Sequence, residues 1–291
     1  MREKDAFSSL HPGVTFLYFA LVFLFAMCLM HPACLGITLL CAAAYRTYLG
    51  GGKGLWYLAP VALLAAAVNV AFLHQGATIL TYLPDGNPLT LESIFYGAAS
   101  SVLLAAVILW FSCYSAVMTS DKFVYLFGRV IPAMSLVLSM TLRFVPRFRT
   151  QLTAVRDARR CLNGQERGLL RRVRSAGTDT SATVTWAMEH AIETSDSMRS
   201  RGYGLPGRTA FSIYRFDGRD RAALLWILVC AAAVASLWIA GGLAWHYYPT
   251  AGGAPVSPLT VLILILYGAL GLTPLAMDLW SDGKFRKKEQ V

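Results

Sequence analysis

Charged side chains are scarce: Asp, Glu, Lys and Arg make up 14% of the 291 residues, against roughly 25% in an ordinary soluble domain. Together with 56% apolar residues and a mean hydropathy of +0.52, that excludes a water-soluble globule. Cysteine is also sparse. The six cysteines (Cys28, Cys34, Cys41, Cys113, Cys161, Cys230) are scattered singly, with no Cys-x-x-Cys or Cys/His set, which argues against a disulfide framework and against zinc. No Gly-x-x-x-x-Gly-Lys-Ser/Thr loop is present, so any ATP must be hydrolysed by another chain. His-Glu-x-x-His and Gly-x-Ser-x-Gly are missing as well. The polar residues in or near the apolar runs (His31, His74, His190, Asp85, Glu92, Asp278) form no catalytic set, and the expectation is a non-enzyme without cofactor or metal.

What the chain has is long uncharged runs. Leu55 to Leu73, Ile94 to Thr119, Ala222 to Trp245 and Pro258 to Met277 each approach or exceed the ~20 residues of a transmembrane helix. Shorter runs, Val14 to Met30 and Ala33 to Tyr45, are separated by the turn-like His31-Pro32. No cleavage pattern follows the first run, so the N-terminus is expected to be retained. In a six-span arrangement with both termini inside, the outer loops are His31-Pro32, His74 to Ser93 and His246 to Ser257. None of the 26 Lys and Arg falls in them, as expected for a protein obeying the positive-inside rule. A further apolar stretch, Phe123 to Leu142, carries Arg129 and Pro132 and follows the capping pair Ser120-Asp121. Counting it as a span would push Arg46 and Lys53 outside, so it is expected at the interface as two short helices, or as a re-entrant segment.

The insert between the fourth and fifth spans is basic. From Arg143 to Arg221 there are 16 Arg against 8 Asp and Glu. It is not a disordered basic loop, because large apolar residues run through it. Val145, Phe148, Leu152, Val155 and Leu162 recur at helical spacing, which predicts an amphipathic helix. A second helix is predicted from Ser181 to about Arg201, with Ala187, Ala191 and Ser195 as a small-residue stripe, after a separate basic piece from Gly168 to Ser175 set off by Gly164 and Gly177. The helices end alike: Ala158-Arg159-Arg160 aligns with Ser200-Arg201-Gly202. Arginine complements the carbonyl end of a helix and the following glycine accepts the left-handed cap. Capping and cytoplasmic retention would account for one such end. Two of them in one insert look like two plugs for two acidic sockets. Nucleic acid is a poorer partner for arginines spread over apolar-faced helices with interleaved acids.

At these residues the chain resembles the transmembrane T component of energy-coupling factor transporters, the vitamin and metal-ion importers of the ATP-binding-cassette superfamily. The resemblance rests on LHPGVTFLYF, on SDKFVYLFGRVIPAMSLVLSMTLRFVPRF, on VRDARR, on SMRSRGYGLPGRT and on the order of the apolar spans. It implies an all-α integral membrane protein with about six transmembrane helices and a long cytoplasmic insert of amphipathic coupling helices. Residues 1–119 would form the N-terminal transmembrane helices, 120–221 the interfacial and coupling region, and 222–291 the C-terminal helix pair with its basic tail.

By the same resemblance the chain is a scaffold in a bacterial or archaeal plasma membrane. It would bind two ATPase subunits and pass their ATP-driven motion to a substrate-binding S component. Arg159 and Arg201 correspond to the docking arginines, flanked by Ala158, Arg160, Ser200 and Gly202. Arg160 stands where the family has glycine, which leaves open whether Arg159 or Arg160 makes the buried contact; Ser200 stands for alanine. Phe127, Met134, Met140, Trp186 and Met188 are the expected contacts to the S component, as an adaptable apolar surface. The alternative is a self-sufficient secondary transporter, which the nearly charge-free spans and the lack of an internal repeat disfavour.

Overall fold

The structure, a computed structural model, describes residues 6–50, 52–82, 88–128, 132–163, 168–203, 205, 214–253 and 257–289. In chain order its helices are α1 (Pro12–Cys28), α2 (Pro32–Tyr48), α3 (Leu58–Phe72), α4 (Leu91–Val117), α5 (Ser120–Gly128), α6 (Pro132–Asn163), α7 (Leu169–Ser200), α8 (Gly218–Ile239) and α9 (Pro258–Glu289). Two units result: residues 1–119 with 214–291, and residues 120–213. Arg221, the expected end of the insert, lies in the first turn of α8 and belongs to the first unit.

In the first unit the apolar runs become helices that start where the sequence supplies a stop to the preceding turn. Both α1 and α2 open on His-Pro: proline occupies the first helical turn, where its missing N–H costs nothing. The preceding imidazole caps the helix, His11 Nδ1 accepting from Gly13 N (3.2 Å) and His31 Nδ1 from Ala33 N (3.3 Å). By length and composition α4, α8 and residues 258–282 of α9 can cross a membrane. Helices α1 and α3 are apolar but have 17 and 15 residues, and α2 has 17 with Arg46 in its last turn. Seventeen residues reach about 25 Å, short of the ~30 Å hydrocarbon core unless the bilayer thins.

The core of this unit is aromatic. Trp110, Tyr18, Tyr45, Phe7 and Phe19 are fully buried and meet edge to face, Tyr18 and Phe19 both against Trp110. Polar cross-links run through it: Thr38 Oγ1 to Tyr267 Oη at 2.6 Å, and Tyr18 Oη donating to the Gly271 carbonyl. Helix α3 has no buried residue but packs closely along α4, where Asn69 Nδ2 donates to Ser100 Oγ.

Contacts sort the connections by end. At one end Tyr247 Oη donates to Met30 O, Ala77 N donates to Pro249 O, and His31 and Tyr96 pack edge-on against Trp245 and Tyr247. At the other, Phe7 N donates to Asp278 Oδ1 (2.7 Å), His11 N to Asp220 Oδ1 (3.1 Å) and Tyr48 Oη to Asp282 Oδ2 (2.9 Å). The three connections devoid of Lys and Arg therefore share one end of the unit.

Two short strand pairs join the helices there. Strand β1 (Ile79–Tyr82) pairs antiparallel with β2 (Pro88–Thr90), and β3 (Trp245–His246) with β4 (Gly252–Gly253). The Thr78 and Thr90 side chains hold the first pair: Thr78 N and Oγ1 donate to the Glu92 carboxylate, and Thr90 Oγ1 donates to Gln75 O. Gly76, at φ +147°, allows this fold-back, since a Cβ there would lie 2.5 Å from Glu92 Oε2.

Candidate functional site

The second unit contains α5, α6 and α7. Helix α5 begins at Ser120, at the capping pair. The stretch 123–142 is not two short helices, however. Its second part opens a helix of 32 residues that starts on Pro132 and runs through Pro146 to Asn163. The amphipathic segment from Val145 is the C-terminal half of that helix. Gly177 likewise fails to divide the next one: α7 is 32 residues long and continuous from Leu169. A mid-helix glycine costs only ~1 kcal/mol, and packing on α6 to either side of Gly177 outweighs it.

The two helices form an antiparallel hairpin, as the paired residue numbers show. Arg159 meets Asp179, Phe148 meets Trp186 edge to face at 6.1 Å, and Arg147 Nη1 lies 2.9 Å from His190 Nε2. Phe144 stacks on Phe148, and Trp186 on His190, whose Nδ1 is 3.1 Å from Glu193 Oε2. The half-buried stripe of α6 includes Met140, Phe144, Leu152, Val155 and Arg159; that of α7 follows the buried Asp179 and includes Thr183, Ala187, His190 and Thr194. Of the small residues expected to face a neighbouring helix, only Ala187 does so, while Ala191 and Ser195 are exposed.

Arg159 and Arg160 have separate fates. Arg159 Nη1 donates to the Ser175 carbonyl (2.6 Å) and to Asp179 Oδ1 (2.9 Å), and its side chain is 23% exposed against 7% for Asp179. Arg156 Nε approaches the other oxygen of the same carboxylate at 3.9 Å. Arg160 is 73% exposed and lies 3.6 Å from an equally open Asp157, a solvent-screened pair of small worth. Ala158 is exposed beside it. Gly164, expected to cap this end, lies outside the described residues.

The other arginine end is built as a Schellman cap. Tyr203 N donates to Met198 O and Gly202 N to Arg199 O, with Gly202 at φ +80°. Arg201 is the cap residue and is exposed; Ser200, also exposed, returns its Oγ to Ser197 O.

The apolar contact candidates divide. Trp186 and Met140 are half-buried, Trp186 between Phe148 and His190 within the hairpin. Phe127 is exposed and packs on Phe123 at 4.5 Å, and Met188 is 65% exposed. Met134 lies on α6 with its side chain outside the described residues. Val184 and Ile192 continue the Met188 stripe at i, i+4, i+8 and are likewise more than half exposed. Beside that stripe a groove of about 310 Å³ is lined by Val145, Phe148, Leu152, Val184 and Ala187, with Arg149 at its edge. Among the described residues no three His, Cys, Asp or Glu side chains converge as a metal site. No protein-family model and no curated protein matches the chain.

Proposed function

We propose that the chain is the membrane scaffold of an energy-coupling factor type importer, which holds two ATPase subunits and relays their movement to a substrate-binding membrane partner for micronutrient uptake. The observation that carries this reading is the hairpin of the second unit: two 32-residue helices with no fully buried apolar side chain among the described residues and an exposed arginine at each end. Arg201 lies 22 residues beyond Asp179, the partner of Arg159. At 1.5 Å per residue the two cationic ends are roughly 33 Å apart. That separation suits two protein partners better than one groove. The apolar residues left open between the ends, Val184, Met188 and Ile192, suit a third partner that is itself apolar.

In this reading the first unit is a membrane scaffold with six spans, α1 to α4, α8 and α9, and both termini in the cytoplasm; α4, α8 and α9 have the length for it. Its connections without Lys and Arg collect at one end. The chain leaves α4 and enters α8 at the other, near Arg46, Arg219 and Arg221. Neither unit supplies a nucleotide-binding loop, which is why the motor is assigned to separate chains.

The test is co-expression of the tagged chain with the ATP-binding-cassette ATPases of its own source. Wild type should retain both in detergent, and Arg201→Glu should lose at least about tenfold of the captured ATPase, as a charge reversal at a docking contact does. Uptake catalysed by the chain alone in liposomes, or undiminished capture by Arg201→Glu, would overturn the reading.

A further inference from the structure

Two adjacent arginines at the end of α6 do different work, and the hairpin geometry separates them. Asp179 is one of the few buried side chains among the described residues of the second unit, and both its oxygens face α6: Oδ1 takes Arg159 Nη1 at 2.9 Å and Oδ2 faces Arg156 Nε at 3.9 Å. The same Arg159 nitrogen reaches the Ser175 carbonyl one turn earlier on α7. A guanidinium bonded to two groups of the opposite helix, and largely enclosed, is already spent on the chain itself. For Arg159 to enter another protein's groove it would have to leave Asp179, whose buried carboxylate would keep only the longer contact to the half-exposed Arg156. Arg160 points elsewhere. It is open to solvent, and its neighbour Asp157 is equally open and can let it go without leaving a buried charge.

We infer that Arg159, Asp179 and Ser175 form an internal pin that fixes the register of α6 against α7, and that Arg160 is the residue of this end that docks on an ATPase. The inference rests on the scaffold reading. The pin turns the hairpin into a strut of set length: a push received at Arg160 reaches α7 through one short ionic contact near the α6–α7 connection. Arg201, at the far end of α7, needs no counterpart pin, because its helix ends there on its own glycine cap.

The test uses the full-length chain co-expressed with the ATPases of its own source and reads two quantities: trypsin sensitivity of residues 120–213, and ATPase retained in detergent. Arg160→Glu should retain at least about tenfold less ATPase, the loss expected of a hot-spot contact, with unchanged proteolysis. Arg159→Glu alone should speed cleavage. The reversed pair, Arg159→Glu with Asp179→Arg, should restore protection and capture together but in part, since it regains the opposite charges and not the bond to the Ser175 carbonyl. Restored protection with capture still lost would put Arg159 on the ATPase and overturn the assignment, as would full capture by Arg160→Glu. Asp179→Asn covers the case in which the reversed pair does not fold: a pin predicts faster cleavage and no gain in capture, whereas a docking Arg159 released from Asp179 would capture more. Undiminished capture by Arg201→Glu is the distinct result that removes the ATPase reading, while the cleavage data still judge the pin.

Discussion

In the first unit the largest buried side chains are Trp110, Tyr18, Tyr45, Phe7 and Phe19, whereas in the second the described residues bury fully only Lys122 and Asp179. The first unit thus completes its core by itself, with aromatic rings edge to face and its polar termini tied at one end. The second has ample apolar surface and leaves it open: Leu162, Leu169, Leu170, Val173, Met188 and Ile192 are each more than half exposed. A hairpin held by an ionic pin and an aromatic ladder keeps its shape without consuming its hydrophobic faces. The proposed scaffold role would draw on that open surface, since surface already buried inside the chain could not be offered to partners.

The sharpest way to break the comparison is a pair of truncations. Trp110→Ala removes a fully buried ring and should cost about 3 kcal/mol through the cavity it leaves. Met188→Ala, at an open position, should stay within about 0.5 kcal/mol. Thermal unfolding in detergent, followed by circular dichroism, compares them; equal losses would mean that the hairpin has a core after all.

Buried carboxylates offer a finer contrast. Asp220, in the first unit, accepts backbone N–H groups, His11 N on Oδ1 and Asp217 N on Oδ2, while Asp179 accepts arginine. Asp220→Ala would leave two donors short of a partner and should cost about 1 to 3 kcal/mol. The loss should appear as faster amide hydrogen exchange at His11. Unchanged exchange at His11 would mean that this carboxylate carries no share of the stability at that end.

The long apolar runs, the His-Pro turn before α2, the start of α5 at Ser120 and the glycine cap at Gly202 were all legible, because each depends on residues within one helical turn. The hairpin's length was not. Gly164, Gly177 and the basic run between them read as punctuation, and only packing along α6 explains why the helix continues through Gly177. Asp278 and Asp220 were equally opaque: their donors lie 271 and 209 residues away, and a lone acid near an apolar run looks the same whether it caps, ligates or catalyses. Arg159 and Asp179 are only 20 residues apart, yet pairing them needed the register of the hairpin. The strand pair β1–β2 did leave a local signal, the turn-forming Pro84-Asp85-Gly86 between short β-prone stretches, which the apolar pattern on either side overshadowed.

The smallest expected effect concerns the His-Pro starts and gives each end of the first unit its own readout. His31 caps α2 only while its Nδ1 is an acceptor, which requires the neutral ring. Burial, with Trp245 packed edge-on, holds its pKa below the ordinary value near 6.5. The sign follows: below that value the unfolded chain binds the proton more readily than the folded one, so lowering the pH favours unfolding. This contribution is fully present above about pH 6.5 and is lost as the pH falls through the folded pKa. It is bounded by the worth of one N-cap, about 1 kcal/mol. Asparagine keeps a cap acceptor that does not titrate, so His31→Asn should match the wild-type melting temperature at pH 8 and exceed it at pH 5. If both proteins lose stability equally between those values, the cap at His31 contributes no measurable share of the pH response.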